Sequence, residues 1–207
     1  GAGAETWSST RVNTIIAEIN EGLTWWRNTA TNYGLNASEL SFSTVNYYTP
    51  FNSGASIVTI STANEPILLN GGQPSGGGNE DQWIVPILQN LGYATANSTN
   101  YLTILRQQLN NATRTAAGTD WAFSVFVIDS LNDADGVFAN GRFAYAYING
   151  PAMVLTYDND GWGPSRFNMV LSHEMGHTFG ALDEYPTSGC SSNNTHGYYV
   201  RAHTNCQ

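Results

Sequence analysis

The chain has 207 residues and a formal net charge of -9, with sixteen acidic residues against seven basic ones, all of them arginine. Proteins that bind nucleic acids or anionic membranes need a basic surface, so this composition argues against both kinds of partner. The hydrophobic fraction of 41% predicts a packed core, and no run approaches the roughly 20 apolar residues that span a bilayer, so we expect no membrane-spanning segment.

The chain begins with a predicted helix over 9–31, because apolar residues from Val12 to Trp26 recur at spacings of three and four. Its apolar stripe is expected to cover a sheet. Two β-type runs then predict short strands, a glycine-rich stretch predicts a surface loop, and two further segments predict helices, the first limited or kinked by Pro86. These elements are the strands 42–48 and 56–60, the loop 70–79 and the helices 81–91 and 100–111.

The second half of the chain predicts three strands and one helix. The first strand is a continuous apolar run, which is typical of a buried central strand. A last helix is expected over 166–179, capped by Ser165 and ended by Gly180. Because helices and strands are mixed and no linker divides the chain, we predict a single α/β (α+β) domain over 1–207. The three strands cover 121–128, 143–148 and 152–157.

Residues 173–177 read His-Glu-Met-Gly-His and lie on the last predicted helix. Positions i and i+4 share one face of a helix, so the imidazoles of His173 and His177 can reach the same metal ion. Glu174 follows the first histidine, where its carboxylate can hold a metal-bound water and act as a general base. This pattern indicates a zinc site that assists hydrolysis.

The motif supplies two ligands, whereas a catalytic zinc site needs a third beside an open position for water. No acidic residue follows Glu184, which leaves Asp183, Glu184, His196 and His203 as candidates. Gly180 can adopt a positive φ, end the helix and turn the chain back beneath the metal, and Asp183 arrives three residues later. We therefore favour Asp183, with His203 in reserve.

The full spacing His173-Glu174-x-x-His177-x-x-Gly180-x-x-Asp183 resembles the zinc-binding motif of the metzincin metallopeptidases. Aspartate stands in place of the usual third histidine, as in the small secreted snapalysin-like branch. The resemblance implies that His173, His177 and Asp183 bind one catalytic zinc ion. It also implies that Glu174 is the general base of peptide-bond hydrolysis.

The same resemblance implies a zincin/metzincin-like fold, with a mixed twisted sheet, backing helices and an active-site helix. The N-terminal subdomain then covers about 1–180, and a short irregular C-terminal subdomain starts at about 181. Residues 152–157 are either the edge strand above the cleft, along which an extended peptide aligns, or an ordinary core strand. The candidates for stabilising the oxyanion are Tyr185, Tyr198 and Tyr199.

The chain departs from the metzincin pattern in its methionine content. The family has a methionine-containing turn downstream of the third ligand, whereas Met175 is the last methionine of this sequence. Either this turn has diverged, or the chain stops short of the complete C-terminal subdomain. We favour the second, in which a second chain or a further C-terminal segment of the same precursor belongs to the complete protein.

Cys190 and Cys206 are the only cysteines, and the segment between them is rich in Ser, Asn, Gly and Tyr. A disulfide that closes this loop suits such a segment, because it has little else to pack. Disulfides persist outside the cytoplasm, so we predict a secreted, extracellular protein; the alternative is two free thiols in a cytosolic protein.

Two loops rich in Asp, Asn and Gly are candidates for calcium binding. Oxygen ligands on a tight turn suit Ca²⁺, although the same residues are typical of surface turns, and neither loop has the bidentate glutamate of an EF-hand. The candidate ligands are Asp129, Asn132, Asp133 and Asp135 in the first loop and Asp158 and Asp160 in the second.

The leading hypothesis is a secreted zinc endopeptidase that acts on a protein or peptide substrate. One alternative is a metzincin-like binding or adhesion protein whose zinc site is structural. The intact Glu174 argues against that alternative, and the missing methionine turn argues for it. Another is a calcium-stabilised structural module, which would bind no stoichiometric zinc.

Overall fold

The computed structural model describes residues 7–36, 38–45, 62, 64–183, 185, 188, 190–193, 195–196 and 201–202. Its helices are α1 (Ser9–Asn32), α2 (Asp81–Asn90), α3 (Tyr101–Ile104), α4 (Asn111–Ala117) and α5 (Phe167–Thr178). A π-helical segment, Leu105–Asn110, joins α3 to α4. Its strands are β1 (Ser124–Ile128), β2 (Ala144–Ala146), β3 (Ala152–Thr156), β4 (Thr195–His196) and β5 (Arg201–Ala202).

Strands β1, β2 and β3 form a mixed sheet in which β3 lies in the middle. Strand β1 runs parallel to β3, with Phe126 opposite Val154, and β2 runs antiparallel to β3, with Tyr145 opposite the same residue. All five residues of β3 are buried, whereas those of β1 are half-buried except for Ile128. The prediction that 121–128 forms a buried central strand is therefore wrong, because β3 occupies the middle of the sheet within the described residues. Strands β4 and β5 form a separate antiparallel pair.

Helices cover both faces of this sheet, which confirms the mixed α+β class. Side chains alternate along β3, so Val154 joins a hydrophobic cluster on one face and Met153 and Leu155 join a second cluster on the other. Helix α2 and the π-helical segment contribute to the first cluster, and α1 and α5 contribute to the second. Large members of the first cluster are Trp83, Leu88, Leu105 and Phe138, and those of the second are Ile15, Phe167, Leu171 and Met175.

The long helix α1 packs closely along α5. A Cβ atom on Gly22 would lie 2.9 Å from Cδ2 of Leu171 and 3.1 Å from the carbonyl oxygen of Asn168, so only glycine permits this approach. One turn later, the indole N–H of Trp26 donates a hydrogen bond to the carbonyl of Ser172 over 3.1 Å. The predicted amphipathic helix is confirmed, and its apolar face holds α5 against the sheet.

Two predicted helices differ from the observed ones at their ends. The helix predicted over 100–111 continues to Ala117, because the exposed turns beyond Leu109 carry no apolar signal in the sequence. Ser165 lies in a short 3-10 turn, Pro164–Arg166, and no side chain caps α5, so the predicted cap is wrong. The chain enters α5 directly from this turn. Helix α2 runs through Pro86 and ends close to its predicted end.

The early loops depart in part from the prediction. Residues 42–45 form no strand, and the remainder of the strands predicted at 42–48 and 56–60 lies outside the described residues. The loop 70–79 is exposed at 73–77, but Gly71 is buried, since it packs closely against Phe138 and Tyr145. No helix within the described ranges combines the length and apolar character needed to cross a bilayer.

Glu80 lies fully buried at the start of α2, and three tyrosines donate hydrogen bonds to its carboxylate. Tyr101 donates to Oε1 over 2.8 Å, Tyr145 donates to Oε2 over 2.6 Å, and Tyr147 also donates to Oε1. We call these four residues the tyrosine cage. Burial raises the pKa of Glu80, and the hydrogen bonds from the tyrosines lower it part of the way back. No arginine whose side chain the structure describes forms an ion pair with Glu80, so the three phenols compensate the burial of its carboxylate.

The tyrosine cage predicts a loss of stability in alkaline solution. Burial, followed by the negative charge of Glu80, raises the pKa of Tyr101, Tyr145 and Tyr147 above the ordinary value of 10.0. A raised folded-state pKa adds stability that is complete below the unfolded-state pKa of about 10 and is lost as the pH rises toward the folded-state value. We expect the midpoint of urea unfolding to fall steeply above that pH, and three of the eleven tyrosines to ionise only when the chain unfolds. Absorbance titration that ionises all of them in the folded protein would contradict this result.

Candidate metal centre

Helix α5 ends at a glycine with a positive φ, as the sequence predicts. Gly180 has a φ of 95°, and its N–H donates to the carbonyl of His177 over 2.9 Å. The N–H of Ala181 donates back to the carbonyl of Gly176, also over 2.9 Å. These two hydrogen bonds form a Schellman motif, which reverses the chain beneath the last helical turn. The reversal carries Asp183 back toward the face of α5 that bears the two histidines.

Three predicted ligands meet at this point. Oδ1 of Asp183 lies 3.0 Å from Nε2 of His173 and 3.3 Å from Nε2 of His177. The imidazole rings of the two histidines pack edge to face, with 4.9 Å between their centroids. Each of the three side chains offers one ligand atom, and these atoms all lie within 4.8 Å of one another. Among the described residues, no other three His, Cys, Asp or Glu side chains come together in this way.

A backbone carbonyl fixes the orientation of His177. Nδ1 of this residue lies 2.8 Å from the carbonyl oxygen of Ala181. A carbonyl only accepts hydrogen bonds, so Nδ1 carries the proton and the lone pair of the neutral ring is on Nε2, the atom that faces Asp183. The contribution of Ala181 was not predicted from the sequence. Its only signal is the position directly after Gly180, where a Schellman motif turns the backbone toward the helix.

The arrangement fits a tetrahedral zinc ion. With metal–ligand bonds of about 2.0 to 2.2 Å, the ligand atoms of such a site lie about 3.3 to 3.5 Å apart, close to the two distances at Asp183. Oδ1 of Asp183 is buried and has no hydrogen-bond partner, whereas Oδ2 accepts a hydrogen bond from the hydroxyl of Tyr185 over 3.1 Å. A buried anionic oxygen beside an imidazole lone pair is unfavourable without a cation between them. Two imidazoles and one carboxylate are a donor set that suits zinc.

Glu174 is buried next to this group, with 7% of its surface exposed. Burial raises the pKa of its carboxyl group to about 7, and the negative charge of Asp183 adds to the rise. Glu174 lines the same cleft as the three predicted ligands. A carboxyl group with this pKa can accept and release a proton near neutral pH.

The three predicted ligands and Glu174 lie in a cleft of about 890 Å³ between α5 and strand β2. Apolar side chains line part of the cleft, among them the exposed side chains of Ile148, Trp162 and Met169. The strand beside the cleft is β2, and 152–157 contributes the buried middle strand β3. The prediction that 152–157 is the edge strand is therefore wrong, and its core alternative is confirmed.

Strand β2 presents main-chain hydrogen-bonding groups at the cleft. The N–H of Tyr147 donates to Ala152 and the carbonyl of Phe143 accepts from Thr156, so these two residues bond inward to β3. Main-chain groups alternate along an antiparallel strand, and the groups of the even-numbered residues therefore point away from β3. Within the described residues no strand pairs with that side of β2. The residues with outward main-chain groups are Ala144 and Ala146.

Several other predicted site residues are not covered by the structure. Glu184, His203, Tyr198, Tyr199 and Cys206 lie outside the described residues, as does the side chain of His196. The Cys190–Cys206 disulfide therefore stays a prediction. Tyr185 lies at the site, where its hydroxyl contacts a predicted ligand.

The predicted calcium loops do not form a second carboxylate cluster. Asp129 forms an ion pair with Arg11, with 2.7 Å between Oδ2 and Nη1, and Asp158 accepts a hydrogen bond from Ser130. Oδ1 of Asp133 accepts hydrogen bonds from backbone N–H groups of its own loop. No three carboxylates of Asp129, Asp133, Asp135, Asp158 and Asp160 bring ligand atoms within 4.8 Å of one another. Calcium binding, with Asn132 as a further ligand, stays a prediction.

Comparison with known proteins identifies no relative: no family model, no curated protein and no solved structure matches the chain.

Proposed function

We propose that the chain is a secreted zinc-dependent endopeptidase with a zincin/metzincin-like fold. The observation that carries the proposal is the meeting of His173, His177 and Asp183 around a buried carboxylate oxygen that has no hydrogen-bond partner. Glu174, buried in the same cleft, adds the group that a hydrolase needs to move protons. The mixed sheet and the turn at Gly180 agree with the fold that the motif implies.

In this proposal Nε2 of His173, Nε2 of His177 and Oδ1 of Asp183 hold the zinc ion. Bound zinc supplies a Lewis acid that polarises a peptide carbonyl and lowers the pKa of water. The carboxylate of Glu174 takes the proton of the attacking water and then delivers it to the nitrogen of the leaving amine. Glu174 lies in the same cleft as these three ligands, where one carboxyl group can act first as a base and then as an acid.

The substrate in this proposal is an extended peptide that lies along β2. The outward main-chain groups of Ala144 and Ala146 can pair with it as one more strand of the sheet. Both residues have small side chains, so a peptide can approach this edge closely. The apolar surface of Trp162 and Met169 then favours substrates with large hydrophobic side chains near the scissile bond.

Hydrolysis of casein tests the proposed function. We expect casein cleavage that stops when o-phenanthroline removes the metal and returns when zinc is restored. A phenanthroline isomer that does not chelate is the control, and it should leave the rate unchanged. Cleavage that persists in full with o-phenanthroline would contradict a zinc-dependent mechanism.

A further inference from the structure

The tyrosine cage holds a buried charge without a cation. Glu80 has no measurable exposure, and its carboxylate oxygens are compensated by phenol hydroxyls alone within the described residues. A hydrogen bond to a buried charged group stabilises more than one between neutral groups, and losing a donor exposes the charge to an apolar surrounding. The positions of Tyr101, Tyr145 and Tyr147 are therefore tightly constrained by this one carboxylate.

Two of the three donors belong to the strand beside the cleft or follow it directly. Tyr145 is in β2 and Tyr147 follows it directly, and both pack against the hydrophobic cluster on the face remote from α5. Ala144 and Ala146 pack toward the opposite cluster, the one that contains α5. Strand β2 has only three residues, so its own ladder of main-chain hydrogen bonds is short. The side-chain bonds to Glu80 add a second attachment on the face remote from the predicted metal site.

We propose that Glu80 is a positioning residue for peptide binding: through Tyr145 and Tyr147 it fixes the strand whose outward main-chain groups pair with the substrate. This inference rests on the proposed peptidase function. Glu80 itself lies behind the strand and contacts neither the predicted ligands nor the cleft. Glu80 acts on the position of β2 beside the cleft. That position decides whether the main-chain groups of Ala144 and Ala146 can form hydrogen bonds with a peptide.

The cage contains its own matched control. Tyr101 belongs to α3 and not to β2, and it donates to the same Oε1 atom as Tyr147. When its hydroxyl is removed, Glu80 keeps both bonds to the strand. When the hydroxyl of Tyr147 is removed, the carboxylate keeps Tyr101 and loses one strand contact. Tyr101→Phe and Tyr147→Phe thus each remove one hydroxyl that donates to Oε1 of Glu80. Only Tyr147→Phe removes a hydrogen bond between Glu80 and the end of β2.

The test uses the protein variants Tyr101→Phe, Tyr145→Phe and Tyr147→Phe, each first shown to be folded by circular dichroism. For each variant, kcat and KM are measured with a quenched fluorescent casein peptide as substrate. We expect Tyr145→Phe and Tyr147→Phe to raise KM by about fivefold, the factor for one hydrogen bond, with kcat within about twofold. Tyr101→Phe should leave KM within about twofold of the unmodified protein, although its unfolding midpoint falls as well. A purely structural role would lower the unfolding midpoints without separating KM in this way.

Binding of the same peptide to Glu174→Ala, with and without Tyr147→Phe, repeats the comparison without turnover. Weaker binding in the double variant supports the positioning role. An unchanged KM in folded Tyr147→Phe, or an equal rise in Tyr101→Phe, overturns that role while the peptidase function stands. If the unmodified protein neither binds nor cleaves casein-derived peptides, the proposed function fails and the inference fails with it. If Tyr145→Phe does not fold, the comparison of Tyr147→Phe with Tyr101→Phe tests the positioning role by itself. Tyr147 does not line the cleft, so its substitution does not alter the cleft surface directly.

Discussion

Replacing Glu174 by alanine is expected to lower kcat for casein hydrolysis by at least about a hundredfold, because a positioned general base contributes roughly 10² to 10⁴. The buried carboxylate is the only side chain that this mechanism uses to take a proton from water. Zinc content should stay near one equivalent, since His173, His177 and Asp183 remain. The two quantities are measured on one sample, by a fluorescent casein assay and by elemental analysis.

Glu21→Ala is the matched control for this experiment. It makes the same substitution at an exposed position of α1, far along the sequence from the motif, and is expected to change neither rate nor zinc content. Full activity in Glu174→Ala would remove Glu174 from the mechanism. Loss of zinc together with activity would instead assign it a role in holding the metal.

Replacing Asp183 by alanine is expected to weaken zinc binding by on the order of a hundredfold, because zinc affinity in a three-ligand site depends on each ligand. The substitution removes Oδ1, the oxygen that lies within 3.3 Å of both imidazole Nε2 atoms. Competition with a chromophoric chelator measures the dissociation constant directly. Peptidase activity at limiting zinc should fall in parallel.

Two control variants accompany Asp183→Ala, one at an unrelated aspartate and one at another candidate for the third ligand. Asp160→Ala removes an exposed aspartate of a predicted calcium loop and should leave zinc affinity unchanged. His196→Ala tests the candidate that lies beyond the turn at Gly180, and it should also bind zinc normally. Normal affinity in Asp183→Ala with lost affinity in His196→Ala or His203→Ala would assign the third ligand to a histidine.

The elements of the site that the sequence predicts are those set by short-range geometry. His173 and His177 share a helix face because any two residues at an i, i+4 spacing do. Gly180 ends the helix with a φ of 95°, a conformation that glycine adopts more readily than other residues. The Schellman motif then carries the chain back within a few residues, so Asp183 could be placed without knowledge of the sheet.

The position of each strand in the sheet could not be predicted in the same way. Helices cover both faces, so an outer strand needs apolar side chains on both faces as much as a middle strand does. In β1, Phe126 packs into one cluster while Val125 and Val127 pack into the other, which makes the run look central although β3 takes that place. Strand order depends on long-range pairing, which apolar patterning does not encode.

The tyrosine cage left no local signal either. Glu80 stands beside Asp81 in a polar, glycine-rich context that is typical of a surface loop. Its three donors are 21, 65 and 67 residues away in the chain and have no fixed spacing from it. Only the folded arrangement shows that this acidic residue is buried while its sequence neighbours at 73–77 are exposed.

Titration of the metal-free protein with zinc, with bound zinc and casein cleavage followed on the same sample, tests the proposed function most directly. The expected result is a cleavage rate that rises in proportion to bound zinc and reaches its maximum at one zinc ion per chain, with no cleavage at any zinc concentration in Glu174→Ala. Stoichiometric zinc binding without cleavage would contradict the peptidase and favour a structural metal site in a binding protein. Full cleavage in the metal-free protein would contradict the zinc mechanism altogether.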